Sequence, residues 1–339
     1  MDRRAAALPS AVVSATATAT TTVPDEGSAP SAQTGLDLTE LALSRAVLDR
    51  AGDRRNDDQW WQAVLSNPRT RYLPVRADRF PIHRAEGAVR LAWSEANVAV
   101  GEPSLLGVDA IGRAHVAVAI PESAGPGDPT VEWAGLREVG GDLDDLDAGA
   151  ATHALALLGW HRAEPFSPAS GLLTRPAQSG SVRVSEDGGQ AFPRTDPAMI
   201  VLVHEGQLHD PAGRALLGHQ RVWPAGRFSC LAGFVEAGES LEHAVTREVA
   251  EEAAVEVGDI HYAGSQPWPF PRSLMIGFTA RASHAEIRPD GEEISELRWF
   301  TRAELLADVE SGAVRLPGRI SIARHLIEGW YGGELPGDW

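Results

Sequence analysis

The sequence predicts an α+β protein of two domains behind a low-complexity tail, and three observations carry that prediction. The 339 residues are long for one domain and sufficient for two buried cores. Residues 37–150 mix one helical pattern with several short apolar strands, and the second half opens on the apolar run AMIVLVHEG. Residues 241–254 then switch to a helical period with no Pro or Gly inside it.

Taken in order, residues 1–36 are rich in Ala, Thr, Ser and Pro, lack a period and read as a disordered tail. Arg3 and Arg4 before an alanine-rich run imitate a twin-arginine signal, but threonines break the apolar stretch and no export signal is assigned. No segment approaches the roughly 20 apolar residues of a membrane span. The N-terminal domain, 37–150, is expected to hold a helix in LTELALSRAVLDRAG and strands in VRLAWSE, HVAVAIP and TVEWAGL. AATHALALLGWHRAE is expected to be a linking helix at the head of a segment covering 151–196, with His153 and His161 as packing or surface residues and not ligands. A second domain follows over 197–331, then a short C-terminal tail, 332–339.

Composition narrows the setting. The net charge of −17 argues against a general nucleic-acid surface, so an RNA substrate would be recognised at one end and not along a phosphate track. The lone cysteine, Cys230, excludes an internal disulfide, fits a reducing cytoplasmic setting and reads as a small buried hydrophobe.

The stretch GFVEAGESLEHAVTREVAEEAAV, Gly233 to Val255, holds six glutamates and one arginine. Ser240 is suited to cap the helix that follows. Leu241, Val245 and Val249 form its apolar stripe, and Glu252 falls within roughly 20° of Leu241 and Val245 on the helical wheel. Glu248, Glu251 and Glu252, spaced i, i+3, i+4, converge at the edge of that stripe. Such like charges raise each other's pKa unless compensated, and Arg247 alone cannot neutralise them. A group of oxygen ligands with open positions is what Mg²⁺ or Mn²⁺ needs.

This stretch resembles the Nudix box, G-x5-E-x7-R-E-U-x-E-E-x-G-U with U aliphatic. Gly233, Glu239, Arg247, Glu248, Val249, Glu251, Glu252 and Val255 stand at its positions, and the six fixed matches would coincide by chance on the order of once in a hundred thousand. Ala254 departs from the final glycine, where leaving the helix at φ > 0 costs a non-glycine residue about 1 kcal/mol. The resemblance implies an α/β/α sandwich over 197–331 and metal-dependent cleavage of a nucleoside diphosphate linked to another group. It implies metal ligation by Glu248, Glu252 and the Ala232 carbonyl. Arg247 would orient the glutamates and Glu239 support the loop and helix start. A later acidic ligand is expected at Glu296. Glu251 is a ligand or part of the base system, and the base is left open among Glu251, Glu252 and a metal hydroxide.

In SQPWPFPRS, Ser265 to Ser273, three alternate prolines hold the chain extended and present Trp268 and Phe270 for stacking, with Gln266 and Ser273 as polar anchors. Following the box, it resembles the mark of the NADH pyrophosphatase branch, whose members split NAD(H) into nicotinamide mononucleotide and AMP and remove NAD caps from RNA 5′ ends. That resemblance places Gln266, Pro267, Trp268, Pro269, Phe270, Pro271, Arg272 and Ser273 along the nucleotide site. It sets Phe234 and Phe192 against the substrate, brings Ala323 to the adenine through its backbone, and adds Arg137 as a further contact. It also implies a homodimer. Where the branch commonly carries two zinc-binding cysteine pairs, this chain has FSPASG and VSEDGGQAF, so a zinc-less ribbon-like hairpin is expected, as in actinobacterial-type members. The alternatives are a Nudix hydrolase of ADP-ribose or dinucleoside polyphosphates, against which SQPWPFP speaks, and a non-catalytic nucleotide-binding Nudix protein, against which the intact box speaks.

Overall fold

The computed structural model describes residues 36–337 except 39, 86, 96–100 and 124–129, so the tail expected over 1–36 lies outside the described residues but for Leu36. LTELALSRAVLDRAG is not a helix: only a 3₁₀ turn, Ala42–Ser44, forms in it. Strand edges capture its backbone instead. Leu38 N–H donates to Ala263 O at 2.6 Å, and Asp49 and Val108 exchange backbone bonds at 2.8 and 3.0 Å. The Ser44 hydroxyl donates to Ser265 O at 2.8 Å. These non-local bonds satisfy the peptide groups that a helix would have satisfied locally. Leu41 and Leu43 then pin the segment into two different cores.

The N-terminal half comprises α1 (Asp58–Ser66), β1 (Arg71–Val75), β2 (Arg79–Ala85), β3 (Ala88–Leu91), β4 (Pro103–Val108), β5 (Ala114–Ala119), β6 (Glu132–Gly135), α2 (Leu136–Val139) and α3 (Asp145–Ala163). Its strands form two three-stranded sheets, β1-β5-β4 and β3-β2-β6. The expected linking helix begins at Asp145, capped by Asp144, whose carboxylate accepts from Asp147 N–H. It does not merely link: Ala148, Ala151, Ala154, Leu155 and Leu158 pack with Leu73, Phe80 and Ile82 in this half's core. Small alanines on its inward face let it lie close to the strands, an aspect that a run of apolar residues with little periodicity conceals.

The ribbon follows as β7 (Thr174–Ala177), β8 (Val182–Ser185) and β9 (Gln190–Ala191), an antiparallel sheet. Hydrogen bonds close its two turns. Ser167 Oγ accepts from the N–H groups of Ala169 and Ser170 at 3.3 Å each. The Asp187 carboxylate accepts from Ser185 Oγ, from Gly189 N–H at 3.1 Å and from the Ser170 side chain, which holds its pKa down. Buried Arg183 donates to Thr174 Oγ1 and O, both at 2.7 Å, and to His161 Nδ1 at 3.0 Å. His161 pairs with Gly180 O at 2.8 Å through Nε2; burial lowers its pKa to about 4, so it is a neutral packing residue.

The C-terminal half holds β10 (Asp196–His204), β11 (Ala215–Gln220), β12 (Leu231–Phe234), α4 (Leu241–Ala253), β13 (Val257–Trp268), β14 (Ser273–Ala282), β15 (Ile294–Phe300), α5 (Arg302–Glu310) and α6 (Ile322–Tyr331). The mixed sheet runs β13-β14-β10-β11-β15, with β12 paired to β10. Strand alternation sends Met199, Val201 and Val203 to one face, where they pack with Val245 and Val249 of α4. Ile200 and Leu202 go to the other, against Leu305 of α5 and Leu326 of α6. This is the expected α/β/α sandwich. Residues 332–337 are tied to it: Leu335 is buried, and fully buried Arg324 donates to Gly337 O at 2.6 Å and to Leu335 O. Cys230 is buried here, and desolvation raises its thiol pKa.

Candidate active site

Ser240 Oγ accepts from His243 N–H at 3.2 Å and starts α4, whose thirteen residues end at Ala253, with Ala254 as the cap beyond it at φ 56°, ψ 34°. Alanine thus adopts the left-handed exit that favours glycine, and the helix keeps its length. Val245 and Val249 are fully buried, and Glu252, beside them on the wheel, is 4% exposed.

Arg247 organises the loop before the helix. Its Nε and Nη2 clamp Glu239 at 2.8 and 2.9 Å, and Nη2 also donates to Phe234 O at 3.0 Å. Nη1 meets Glu248 Oε1 at 2.9 Å and Glu251 Oε2 at 3.0 Å. The bidentate Arg247 partner, with the Glu236 N–H, pulls the Glu239 pKa down to about 2. Glu239 is therefore a half-buried strut, and Arg247 sits between carboxylates as an orienting cation.

Glu252 differs from its neighbours. Its carboxylate receives the Ala232 N–H, but Oε2 is buried with no hydrogen-bond partner. Burial first, then the charges of Glu293, Glu248 and Asp290, push its pKa up to about 8. Burial likewise raises the Glu248 pKa, against the pull of Arg247. An unpaired carboxylate oxygen inside the fold, ringed by other carboxylates, is costly unless a cation joins it. The donor set of hard oxygens fits Mg²⁺ or Mn²⁺. Glu248 and Glu251 lean toward Arg247, and among the described residues no three ligating side chains already converge on one point.

Glu296, expected as a later acidic ligand, does not face the box helix. In β15, Leu297 and Trp299 pack on the α4 side, so alternation turns Glu296 with Phe300 to the opposite face, where it is exposed. A bulge opposite His219 and Gln220 precedes it. The acid whose charge reaches both Glu252 and Glu248 is Glu293, three residues earlier. EEISELRWF offered both residues; the inward pair Leu297 and Trp299 was the signal against Glu296.

SQPWPFPRS forms the end of β13 and the turn into β14, with Trp268 opposite Ser273. Pro267 is tolerated because β13 is the sheet edge. The side chains divide among roles that the sequence had joined. Gln266 is fully buried: its Nε2 donates to Ile320 O at 2.8 Å and its Oε1 accepts from Ile322 N–H at 2.9 Å. Its amide is thus engaged in fixing the start of α6, which corrects its expected role as a direct substrate anchor. Arg272 is likewise committed, pairing with Glu164 of α3 at 2.7 Å and with Asp196 at 3.0 Å, so it fastens the two halves together. Trp268 and Phe270 meet edge to face at 5.0 Å and pack on the N-terminal core, under the Arg137 guanidinium at 5.0 and 4.0 Å from their centroids. Pro267, Pro269 and Ser273 line a cavity of about 180 Å³ beside α3, and Pro271 is exposed. Replacing Gln266 with Leu strands the Ile320 carbonyl and Ile322 N–H, so denaturant unfolding is expected to show a loss of about 2–4 kcal/mol; an unchanged midpoint would refute the clamp.

A cleft of about 510 Å³ opens on the Ile200 face of the sheet, with Arg137, Trp223, Ser229, Trp268, Ser321 and Ala323 on its walls. Ala323 lies on this wall, but its N–H is already held by Ser321 Oγ at 3.3 Å and its carbonyl faces Cys230 Sγ at 3.9 Å. The expected adenine contact through its backbone meets groups that are in use. Phe234 and Phe192 are both exposed, at 60% and 62%. Trp223, from the loop between β11 and β12, was missed because RVWPAGRF carries turn residues and no motif.

A sandwich of this kind with an acidic box helix, its arginine clamp and a buried unpaired glutamate defines a Nudix hydrolase. The family described as NUDIX domain matches residues 195–316, and NADH pyrophosphatase-like rudimentary NUDIX domain matches 63–160. The second match runs through most of α3, in keeping with its place in the N-terminal core. Similarity also extends beyond either domain. The chain is 43% identical over 307 residues to a protein named NAD-capped RNA hydrolase NudC from Mycobacterium bovis (strain BCG / Pasteur 1173P2), covering 85% of this chain and 94% of that one. It is 42% identical, with the same coverage, to the protein of that name in Mycobacterium tuberculosis (strain ATCC 25618 / H37Rv). To human NAD-capped RNA hydrolase NUDT12 it is 40% identical over 200 residues, 56% of this chain and 42% of the other. This chain belongs to the NADH pyrophosphatase branch of the Nudix hydrolases.

Proposed function

We propose that this enzyme hydrolyses the pyrophosphate of NAD(H) to nicotinamide mononucleotide and AMP, and removes NAD caps from RNA 5′ ends. The observation that carries the reading is the buried, unpaired Glu252 carboxylate on an intact box helix, in a chain resembling NAD-capped RNA hydrolases along most of its length. A divalent cation held at this site would neutralise phosphoryl charge and lower the pKa of water. Glu248, Glu252 and Glu293 would hold it, with the Ala232 carbonyl beside them. Arg247 keeps Glu239, Glu248 and Glu251 oriented, and the exposed Glu251 carboxylate, 3.0 Å from Arg247, would be the base that takes a proton from the attacking water. The buried, unpartnered Oε2 of Glu252 is the oxygen that would face the cation. Cap recognition at one end of the RNA accords with a chain of net charge −17.

Mg²⁺ and Mn²⁺ both suit the oxygen donors, and the ribbon is read as zinc-free, its turns held by serine hydroxyls and Asp187. A cytoplasmic homodimer is part of the proposal. Exposed Phe166, Leu172 and Leu173 on the ribbon suit contact with a second copy. The test is product analysis with NADH, ADP-ribose and NAD-capped RNA, using chelator-treated protein reloaded with Mg²⁺ or Mn²⁺. Release of the mononucleotide from NADH and capped RNA is expected. Cleavage of ADP-ribose alone would overturn the substrate assignment while sparing the metal site.

A further inference from the structure

Trp223 belongs to no motif, yet it stands on the wall of the 510 Å³ cleft, half-buried, on a loop whose neighbour Val222 is 85% exposed. The loop is not loose. Trp223 N–H closes a turn on Gln220 O at 3.0 Å, and the Trp223 ring meets the edge of His219 at 6.4 Å and 73°. His219 is itself fixed by Nδ1 against Arg227 O at 2.7 Å and by its ring 5.7 Å from Phe228. Farther along, Arg315 N–H donates to Gly226 O at 2.7 Å, and Phe228 N–H to Arg315 O at 3.0 Å. The indole is therefore presented from a segment braced at both ends.

The rest of the cleft shows what such a ring would meet. Ile200 and Met275 give an apolar floor, while Ser229 and Ser321 supply hydroxyls. Trp268 is the other aromatic wall, but it is packed on Phe270 and under Arg137. Ile200 on the cleft floor pairs in register with Ala232, the residue before Gly233 of the box. Arg137 makes no hydrogen bond or ion pair among the described residues, so a cation at this wall is available to an anionic ligand.

From this arrangement we infer that Trp223 is a specificity-determining residue, stacking on the heteroaromatic ring of one nucleotide half of the dinucleotide. The inference rests on the proposed NAD(H) reading. A π-face on a braced loop binds a flat ring at little entropic cost and tolerates ring type.

The test compares wild type, Trp223→Ala and Trp223→Phe in equilibrium binding of AMP and of nicotinamide mononucleotide, with steady-state kinetics on NADH and a thermal melt of each variant. In Trp223→Ala, affinity for one mononucleotide is expected to fall roughly 10-fold, within the range of one base–aromatic stack. KM for NADH should rise in step with kcat little changed, and Trp223→Phe should restore most of the loss. The mononucleotide that weakens identifies the half that occupies the cleft. Equal affinities and KM in wild type and Trp223→Ala, or a loss that tracks only a lowered melting temperature and is not rescued by Phe, would overturn the assignment. An inactive, metal-loaded wild type would instead count against the substrate reading itself.

Discussion

Glu252→Gln is expected to lower kcat on the order of 10³-fold while leaving the fold intact, because it removes charge where phosphoryl charge must be neutralised but keeps the side chain's volume. Stability should move the other way without metal. The folded pKa of Glu252, about 8, lies above its ordinary value of 4.5, so the unfolded chain releases this proton first as pH rises. Wild type therefore loses stability between about pH 4.5 and pH 8, and the Gln variant lacks this component. Above pH 8 the metal-free variant should be the more stable by a few kcal/mol, on the order of what several pKa units supply. Below pH 4 the difference should vanish. Adding Mg²⁺ should raise the melting temperature of wild type well above that of the variant. Melting curves across pH, with chelator and with Mg²⁺, check all three; parallel pH profiles would mean that Glu252 is not the buried acid described.

Gly233→Ala is expected to damage the site with little damage to the fold. A methyl at this position would lie 2.0 Å from both the Glu248 carboxyl carbon and its Oε1. Gly233 is not in the left-handed region, so alanine suits the strand backbone, and the three nearest atoms the methyl would meet all belong to the Glu248 carboxylate. The flexible end of that side chain yields at small cost, but its carboxylate leaves the place where Arg247 holds it. Apparent Mg²⁺ affinity should drop about 10- to 100-fold, with kcat falling at fixed metal. Metal titration of NADH hydrolysis measures this; a wild-type titration curve would show that the close approach of Gly233 to Glu248 has no functional role.

Several features were legible in the chain because they are local. Ser240 caps α4, Val245 and Val249 turn inward, and the i, i+3, i+4 spacing sets three glutamates on one helix, all within one stretch of helical period. Even the departure at Ala254 was readable, since the chain must leave the helix there whatever the residue. The LTELALSRAVLDRAG segment shows the limit. Its pattern favours a helix, but the open edges near Ala263 and Val108 lie far away in sequence and claim its backbone. In SQPWPFPRS, composition pointed to a surface for rings, whereas Gln266 and Arg272 turned out to be a clamp and a strut.

By itself the sequence determined the acidic helix, its cap, its arginine and the chemistry that hard oxygen ligands allow. Those follow from residue type and a fixed 100° step, which need no distant partner. Only the tertiary structure decided that Glu252 keeps one oxygen buried and unpaired, that Glu293 and not Glu296 shares its field, and that Trp223 walls the cleft. Each depends on which strands lie side by side and on a bulge in β15, and pairing across a sheet is set by packing between residues remote in the chain.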